Sequence, residues 1–271
     1  MATATPQKLP PIPDLLPEAV QWKLFRAQEH LIELAAEVRK FYQKDPAKVV
    51  RNHDAPPDEF IGEIVGSISI PGRVPCLIGD FLTNLRSSFD YLVWELVLTA
   101  KNTPTKDNMF PICTTPEAFN QQLARHRLDG LPPDAVAEID ALQPYHDEQN
   151  PKGNVLAMID DFCNINKHRR VLTTIITGGE APDDFIIQEI DGQLYGSLSF
   201  DSVHKKGIKI GPFPMVDGPH GRGPKVNVPP KLIAFVAFNE GTAQRVEIGN
   251  TLSIFIGYAI QKLARFEKFF V

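Results

Sequence analysis

The chain has 271 residues, of which 43% are hydrophobic, and its formal net charge is -5. This length suits one large domain or two small ones, and the apolar share suffices for a sizeable buried core. The acidic balance excludes a protein that coats nucleic acid with a basic surface, although it is compatible with a local basic patch.

The two ends of the sequence predict a cytoplasmic protein. The N-terminal segment is rich in proline and lacks the charged stretch followed by an apolar stretch that marks a secretory signal. The apolar run near the C-terminus is interrupted by charged side chains and is too polar to span a bilayer, so no membrane contact is expected.

Six segments place apolar residues at helical spacing. In the first, Val20, Leu24 and Ala27 follow one another in steps of four and three, and charged residues occupy the other side. Pro116 suits the first turn of a later helix, and Pro144 ends the next one. The predicted helices cover 18–43, 76–100, 116–126, 134–143, 154–169 and 249–270.

Strand-like sequence occupies two parts of the chain. Residues 60–70 alternate apolar and polar side chains, and several short β-branched or alternating runs follow residue 170. Asp191 and Gly192 favour a type I′ turn, so they predict a hairpin that joins strands near 184–190 and 194–200.

Together these elements predict an α+β fold in a single domain, 1–271. A helical part is expected to comprise 18–43, 76–170 and 249–271, with a helical bundle as its core. The strands near 60–70 and 171–240 are expected to form one antiparallel sheet.

A polar, cationic cluster lies in the sequence NINKHRRVL, between an apolar helical run and a strand-like run. Its members are Asn164, Asn166, Lys167, His168, Arg169 and Arg170. Cations in the last turn of a helix interact favourably with the helix dipole and with the free carbonyl groups, which is one explanation of the cluster. The other is a site in which His168 transfers protons and the neighbouring cations hold a phosphate or a carboxylate.

A second polar cluster lies in LRSSFDYLVW, where Arg86 and Asp90 are four residues apart beside an apolar stripe. They form either an ion pair on the surface of one helix or a buried pair that faces the NINKHRR helix. Because a buried charge is costly unless it is paired, we predict that the two helices pack together and that Asp90 accepts from Arg86, Arg169 or Arg170.

Other recognisable chemistry is missing from the sequence. It contains no glycine-rich nucleotide-binding motif, no nucleophile elbow and no zinc-protease motif. Cys76, Cys113 and Cys163 lie far apart and lack the spacing of metal ligands. The sequence therefore predicts buried free thiols, no disulfide, no metal and no cofactor.

Four motifs resemble those of a widespread group of uncharacterised bacterial proteins. They are LRSSFDYLVWELV, FPI at 110–112, LQPYH at 142–146 and NINKHRRVL. The group shows an LRSALDH-like helix and an N-x-DKHR-like helix, and the resemblance covers the middle third of the chain. The resemblance implies membership in that group but brings no mechanism.

The LRSSFDYLVW helix is also similar to the Arg-x4-6-His element of HEPN ribonucleases. In those enzymes, Arg and His from paired helical domains line a cleft that cleaves RNA. Arg86 matches the arginine, but Tyr91 stands at the histidine position after four intervening residues. A tyrosine has an ordinary pKa of about 10, which is far from that of a proton shuttle at neutral pH, so His168 would have to supply the imidazole.

These observations support three functional hypotheses. The first is a binding or regulatory module with a polar pocket between the central helices. Its binding residues would be Asp90, Tyr91, Asn164, Asn166, Lys167, Arg169 and Arg170. The second is a HEPN-like enzyme that acts on RNA through Arg86 and His168. The third is a small-molecule enzyme that uses His168.

Self-association as a homodimer is expected through the long terminal helices, because both carry wide apolar faces. The last helix contains Phe255, Phe266, Phe269 and Phe270. A small anionic ligand or RNA is the other partner that the cationic cluster suggests.

Overall fold

The structure is a computed structural model of the chain. The residues that it describes are 9–43, 48–51, 59–65, 70–168, 173–177, 186–190, 193–197, 209–218, 221–224, 231–232, 234–238 and 248–271. Side chains are described in 9–41, 43, 70–168 and 248–271. Arg169 and Arg170 of the predicted site and the predicted turn at Asp191 and Gly192 lie outside these residues.

The chain comprises two compact units. One contains Met1–Ala36, Gly72–Leu172 and Asn239–Val271, and the other contains Glu37–Pro71 and Thr173–Phe238. The predicted helical segments belong mainly to the first unit and the predicted strands to the second. The single domain 1–271 stays a prediction, and each unit is considered by itself.

The six predicted helices are all present. They are α1 (Glu18–Gln43), α2 (Arg73–Thr99), α3 (Pro116–Ala124), α4 (Pro133–Asp140), α5 (Val155–His168) and α6 (Ile248–Leu263). Short 3-10 turns follow α4, precede α5 and continue α6, at Pro144–His146, Pro151–Gly153 and Ala264–Phe269. The largest boundary error is at α6, which ends at Leu263, seven residues before the predicted end at 270, because its last turns tighten into the 3-10 helix Ala264–Phe269. α2 begins three residues before the predicted start at 76, since its first turn accommodates Pro75.

Local sequence explains where the shorter helices begin. The Thr115 hydroxyl accepts a hydrogen bond of 3.1 Å from the backbone N–H of Ala118, and Pro116 occupies the first turn of α3. Pro133 likewise lies in the first turn of α4, followed by an acidic residue, Asp134, that suits the positive end of the helix.

The helical unit is held together by apolar faces that bury against one another. α2 supplies the largest set, including Phe81, Leu85 and Phe89, all fully buried. The ring of Phe162 on α5 lies 6.4 Å from that of Phe255 on α6. Phe266 is also fully buried, so two of the four phenylalanines that suggested a dimer surface at the C-terminus pack inside the chain instead.

Nine strands are described in the second unit. They are β1 (Lys48–Arg51), β2 (Glu59–Val65), β3 (Thr173–Thr177), β4 (Ile186–Ile190), β5 (Gln193–Ser197), β6 (Lys209–Gly218), β7 (Gly221–Pro224), β8 (Lys231–Leu232) and β9 (Ala234–Phe238). β4 pairs with β5 in antiparallel fashion, with Ile190 opposite Gln193. This pairing agrees with the predicted hairpin.

The predicted α+β fold with one antiparallel sheet is wrong. Wherever the structure describes side chains, the chain is helical and contains no strand. The described strands form three separate sheets, with the orders β1-β2-β6-β7, β3-β9 and β4-β5-β8, and β5 pairs with β8 in parallel. Alternation along a strand indicates which residues share a face, but the partner strand and its direction depend on contacts between distant segments.

Membrane insertion finds no support in the described helices. None of them combines the length and the apolar character that crossing a bilayer requires.

Candidate functional site

The two polar motifs of the sequence meet at a buried arginine. Arg86 lies on α2 and is only 9% exposed. Its Nη1 donates to Asp90 Oδ1 at 2.7 Å, its Nε donates to Asp160 Oδ1 at 3.2 Å, and its Nη2 donates to the carbonyl of Phe110 at 2.8 Å. All three nitrogens of the guanidinium are therefore hydrogen-bonded within the protein.

Asp90 binds both the side chain of Arg86 and the backbone of the segment that contains Phe110. The same Oδ1 that accepts from Arg86 also accepts from the backbone N–H of Phe110 at 2.9 Å. The predicted acceptor role of Asp90 toward Arg86 is thus confirmed. The rings of Phe89 and Phe110 pack edge to face, 5.1 Å apart, so an aromatic contact also joins α2 to the segment that contains Phe110.

Two carboxylates surround one guanidinium. Burial acts to lower the pKa of Arg86, but the attraction of Asp90 and Asp160 outweighs it, so the pKa of Arg86 lies above its ordinary value. The arginine is therefore permanently charged and fully neutralised by its neighbours. Its positive charge is not available to a phosphate.

Asp160 is the member of the network that sequence analysis missed. It belongs to α5, 74 positions from Arg86, and its second oxygen accepts from Asn164 Nδ2 at 3.0 Å. Lys167 in turn lies 3.5 Å from Asn164 Oδ1. The only available signal was the acidic pair Asp160 and Asp161, one helical turn before the NINKHRR motif.

Asn166 of α5 packs against Gly79 of α2. A Cβ built on Gly79 would lie 2.9 Å from both Cγ and Nδ2 of Asn166, so the asparagine side chain occupies the space that a larger residue would need. The predicted packing of α5 against α2 is confirmed by this contact. Asn166 lies against α2 two helical turns before Arg86, whereas Asn164 is bonded to the network.

Two further residues of the predicted site lie on the surface. Tyr91 is 42% exposed, and Lys23 of α1 lies 5.0 Å above its ring. His168 is exposed at the last position of α5. The structure therefore brings Arg86, Asp90 and Asn164 together but leaves Tyr91 and His168 outside the network.

Gln143 fixes the segment that follows Phe110. Its side chain is 1% exposed and donates to the carbonyls of Pro111 and Ile139, both at 3.0 Å. Its oxygen accepts from the backbone N–H of Cys113 at 2.9 Å. Since Gln143 belongs to LQPYH and Pro111 to FPI, these two motifs are joined directly to each other.

The first three motifs thus build one framework. LRSSFDYLVW supplies the arginine and the aspartate, FPI supplies backbone groups, and LQPYH supplies the glutamine. The helix that carries NINKHRRVL adds Asn164 and, just before the motif, Asp160. Such a connected set of hydrogen bonds holds a core in one arrangement.

An open cleft lies beside this framework, between α3, α4 and the Pro144–His146 turn. Its volume is about 490 Å³. Most of its wall is apolar, formed by Pro116, Phe119, Leu123, Pro133 and Val136. Four polar residues also line it, namely Asn120, Asp140, Tyr145 and His146, and the last two both contact Asp140.

The polar end of the cleft is organised around Asp140. The Tyr145 hydroxyl donates to Asp140 Oδ1, and His146 Nε2 lies 3.4 Å from the same oxygen. Burial, reinforced by the hydrogen bond and the charge of Asp140, raises the pKa of Tyr145 above its ordinary value. The side chain of Asp140 remains 45% exposed, so its carboxylate can still accept further hydrogen bonds.

The thiols near the framework are not activated as nucleophiles. Burial raises the pKa of both Cys113 and Cys163 to about 11, so both are protonated at neutral pH. All three cysteines are free, and Cys76, which was expected to be buried with the others, is exposed. Among the described residues, no group of three or more His, Cys, Asp or Glu side chains could hold a metal ion.

Comparison with protein-family models, with curated proteins and with solved structures finds nothing that matches this chain.

Proposed function

We propose that this chain is a cytoplasmic binding or regulatory module, and that the cleft beside α3 and α4 is its ligand site. The observation that carries the proposal is the half-exposed carboxylate of Asp140 in the lining of a mainly apolar cleft. Small-molecule sites typically combine apolar walls with a few polar groups that fix the orientation of the ligand.

The lining indicates the chemistry of the ligand. Phe119 and Tyr145 pack edge to face at 6.1 Å and form an aromatic wall that suits a flat apolar body. Asp140 carries a negative charge, and its neighbours Tyr145 and His146 leave part of the carboxylate open. A ligand with an apolar body and an amine would therefore be bound, and an anion would be repelled.

The nuclease alternative is not favoured by the geometry. A HEPN-like mechanism needs an arginine that can approach the RNA backbone, but Arg86 is buried and paired with Asp90 and Asp160. An enzyme that uses His168 stays a prediction, as does an anionic ligand beside Lys167. The convergence of the four motifs on one framework supports membership in the bacterial group as part of the proposal.

Three probes of one shape and different charge test the ligand class. They are 2-phenylethylamine, 2-phenylethanol and phenylacetate, each titrated into the protein and followed by calorimetry or by NMR chemical shifts. We expect the amine to bind with a dissociation constant on the order of 1 mM, as is usual for so small a ligand, and more tightly than the alcohol or the anion.

Matched variants locate the binding. Asp140→Asn should reduce amine affinity about tenfold, because it removes a charge-assisted hydrogen bond, and should bring amine and alcohol closer together. Phe119→Ala should weaken all three probes. Glu148→Gln, at an exposed carboxylate two residues beyond His146, is the control and should change nothing. Failure of all three probes to bind, or preferential binding of phenylacetate, would contradict the proposal.

A further inference from the structure

Both tryptophans of the chain lie on the surface of the helical unit. Trp22 on α1 is 58% exposed and Trp94 on α2 is 43% exposed, and the sequence contains two tryptophans in total. Tryptophan is a large apolar side chain that is highly buried on average and is enriched at the centres of protein interfaces. Its exposure at both positions indicates a surface that is covered when the protein functions.

The outer face of α1 has the spacing of a helix that pairs with another helix. Trp22, Phe25, Glu29 and Ile32 follow one another in steps of three, four and three. The rings of Trp22 and Phe25 lie 5.7 Å apart, and Phe25 and Ile32 are 40% and 68% exposed. The opposite face, with Val20, Leu24, Ala27, Leu31 and Leu34, is buried in the unit's own core.

α2 extends this surface past the N-terminal end of α1. Lys23 Nζ lies 3.4 Å from Asn84 Oδ1, and Arg73 Nη2 lies 3.0 Å from Glu33 Oε2, so α1 and α2 run side by side in opposite directions. Tyr91, Trp94 and Leu98 are exposed along α2 at steps of three and four. We call Trp22, Phe25, Ile32, Tyr91, Trp94 and Leu98 together the outer aromatic face.

Charges on α1 are arranged symmetrically about its middle. Arg26 and Glu29 are exposed, paired within the chain, and lie on either side of a point between residues 27 and 28. If a second α1 crosses there in the opposite direction, Arg26 of each copy comes next to Glu29 of the other. The same rotation places Trp22 of each copy near Ile32 of the other.

We propose that the outer aromatic face is the interface between two copies of this chain, related by a two-fold axis near the middle of α1. Each copy contributes α1 and α2, so the dimer has the arrangement of a four-helix bundle. A two-fold interface must be complementary to itself, and the pairing of Arg26 with Glu29 and of Trp22 with Ile32 satisfies this condition.

The charges around the face favour a protein partner over a membrane. The face is bordered by equal numbers of acidic and basic residues, namely Glu18, Glu29, Glu33, Lys23, Arg26 and Arg73. A membrane-binding surface instead carries an excess of basic residues. Mixed charges around an apolar, aromatic centre are the usual composition of an interface between proteins.

Charge-reversal variants of Arg26 and Glu29 test the proposed two-fold symmetry of the dimer. The Arg26→Glu variant and the Glu29→Arg variant each place like charges opposite one another across the two-fold axis, so each alone should dimerise at least tenfold more weakly than the parent. A one-to-one mixture of the two variants brings two acidic side chains against two basic ones and should recover the dimer. Sedimentation velocity over a range of concentrations measures all four samples, and circular dichroism confirms that each variant is folded.

The tryptophans provide a second measurement, because all of the tryptophan emission comes from the proposed interface. Raising the concentration of the parent should shift the emission to shorter wavelength and reduce quenching by acrylamide. Phe25→Glu should abolish both changes, and Ile254→Glu, at an exposed apolar residue of α6, is the matched control that should leave them intact.

Three outcomes would overturn the proposal. These are a parent that stays monomeric at about 100 µM, a dimer that survives Phe25→Glu, and a mixture of the charge variants that dimerises no better than either variant alone. Dimerisation that is lost in Ile254→Glu but kept in Phe25→Glu would place the interface on α6 instead.

Discussion

The helical unit contains two polar clusters that are built from similar chemical groups but differ in how much of their charge is exposed. Around Arg86, a carboxylate, a second carboxylate and a backbone carbonyl satisfy a cation that is 9% exposed. Around Asp140, a hydroxyl and an imidazole approach a carboxylate whose side chain is 45% exposed. In the first cluster the charge of the guanidinium is balanced inside the protein, whereas in the second the charge of the carboxylate is partly open to a ligand.

This difference shows how charged residues that stabilise the fold can be distinguished from charged residues that can bind a ligand. Charged residues beside an apolar stripe attract attention in a sequence, and Arg86 and Asp90 were prominent for that reason. Burial with complete hydrogen bonding makes such a group a structural element, because any ligand would have to replace bonds that are already formed. Asp140, which stood out much less in the sequence, keeps the unused hydrogen-bonding capacity that binding requires.

The largest expected effect comes from removing Asp90. Asp90→Ala strands the buried guanidinium of Arg86 with one carboxylate and leaves the N–H of Phe110 without its acceptor. Breaking a buried ion pair in this way should lower the free energy of unfolding by about 3 kcal/mol. Urea denaturation at pH 7 measures the loss.

Asp80→Ala is the matched control, because Asp80 is an exposed carboxylate on the same helix. Its effect should stay within about 0.5 kcal/mol. If Asp90→Ala proves equally mild, the contrast between framework and site fails, since the Arg86 cluster would then be as tolerant as an exposed surface.

The sequence could predict those features that depend on neighbouring residues. All six helices follow from apolar spacing, and the pairing of Arg86 with Asp90 follows from their separation by one helical turn. The contact between α2 and α5 could also be predicted, because each helix carried charges beside an apolar face that needed partners.

Apart from the contact between α2 and α5, features that join distant segments could not be predicted. Asp160 lies 74 positions from Arg86, and nothing in its local sequence points to that partner. The groups of Phe110 and Pro111 that complete the framework belong to the backbone, which has the same chemistry at nearly every residue. The separation of the strands into three sheets was missed for a similar reason, because pairing between strands depends on the whole chain.

A smaller effect on the free energy of unfolding is expected where α5 packs against α2. Its sign depends on the side chain at position 166. Alanine normally stabilises a helix interior by about 1 kcal/mol relative to glycine. In Gly79→Ala the new Cβ would collide with Asn166, so we expect a loss of about 1 kcal/mol instead. With Asn166→Ala in the same chain the space is free, and the same substitution at Gly79 should become stabilising.

Gly257→Ala measures the effect of helix propensity alone, without the collision that a Cβ at Gly79 would cause. A Cβ at Gly257 in α6 meets no atom within 4 Å, so this variant should gain about 1 kcal/mol in the same denaturation experiment. A gain at Gly79 in the parent chain as well would show that the two helices do not hold Asn166 against α2, and the framework would be looser than the Arg86 contacts indicate.

The smallest expected effect is at the cleft. Tyr145→Phe removes one hydrogen bond to Asp140, but Asp140 is half-exposed and water can replace the lost donor. We therefore expect a loss of about 0.5 kcal/mol or less at pH 7, and Tyr91→Phe, at an exposed tyrosine of α2, provides the comparison.

The dependence of this small effect on pH has a definite sign. Since the folded protein raises the pKa of Tyr145, the unfolded chain loses the phenolic proton first, at about pH 10. The contribution of Tyr145 to stability is thus fully present below pH 10 and is lost as the pH rises further. The difference in unfolding free energy between the parent and Tyr145→Phe should accordingly shrink above pH 10, as measured by urea denaturation at a series of alkaline pH values. A difference that instead grows with pH would mean that the hydroxyl is not held against Asp140, and a loss at pH 7 as large as that of Asp90→Ala would make the Asp140 cluster a second framework.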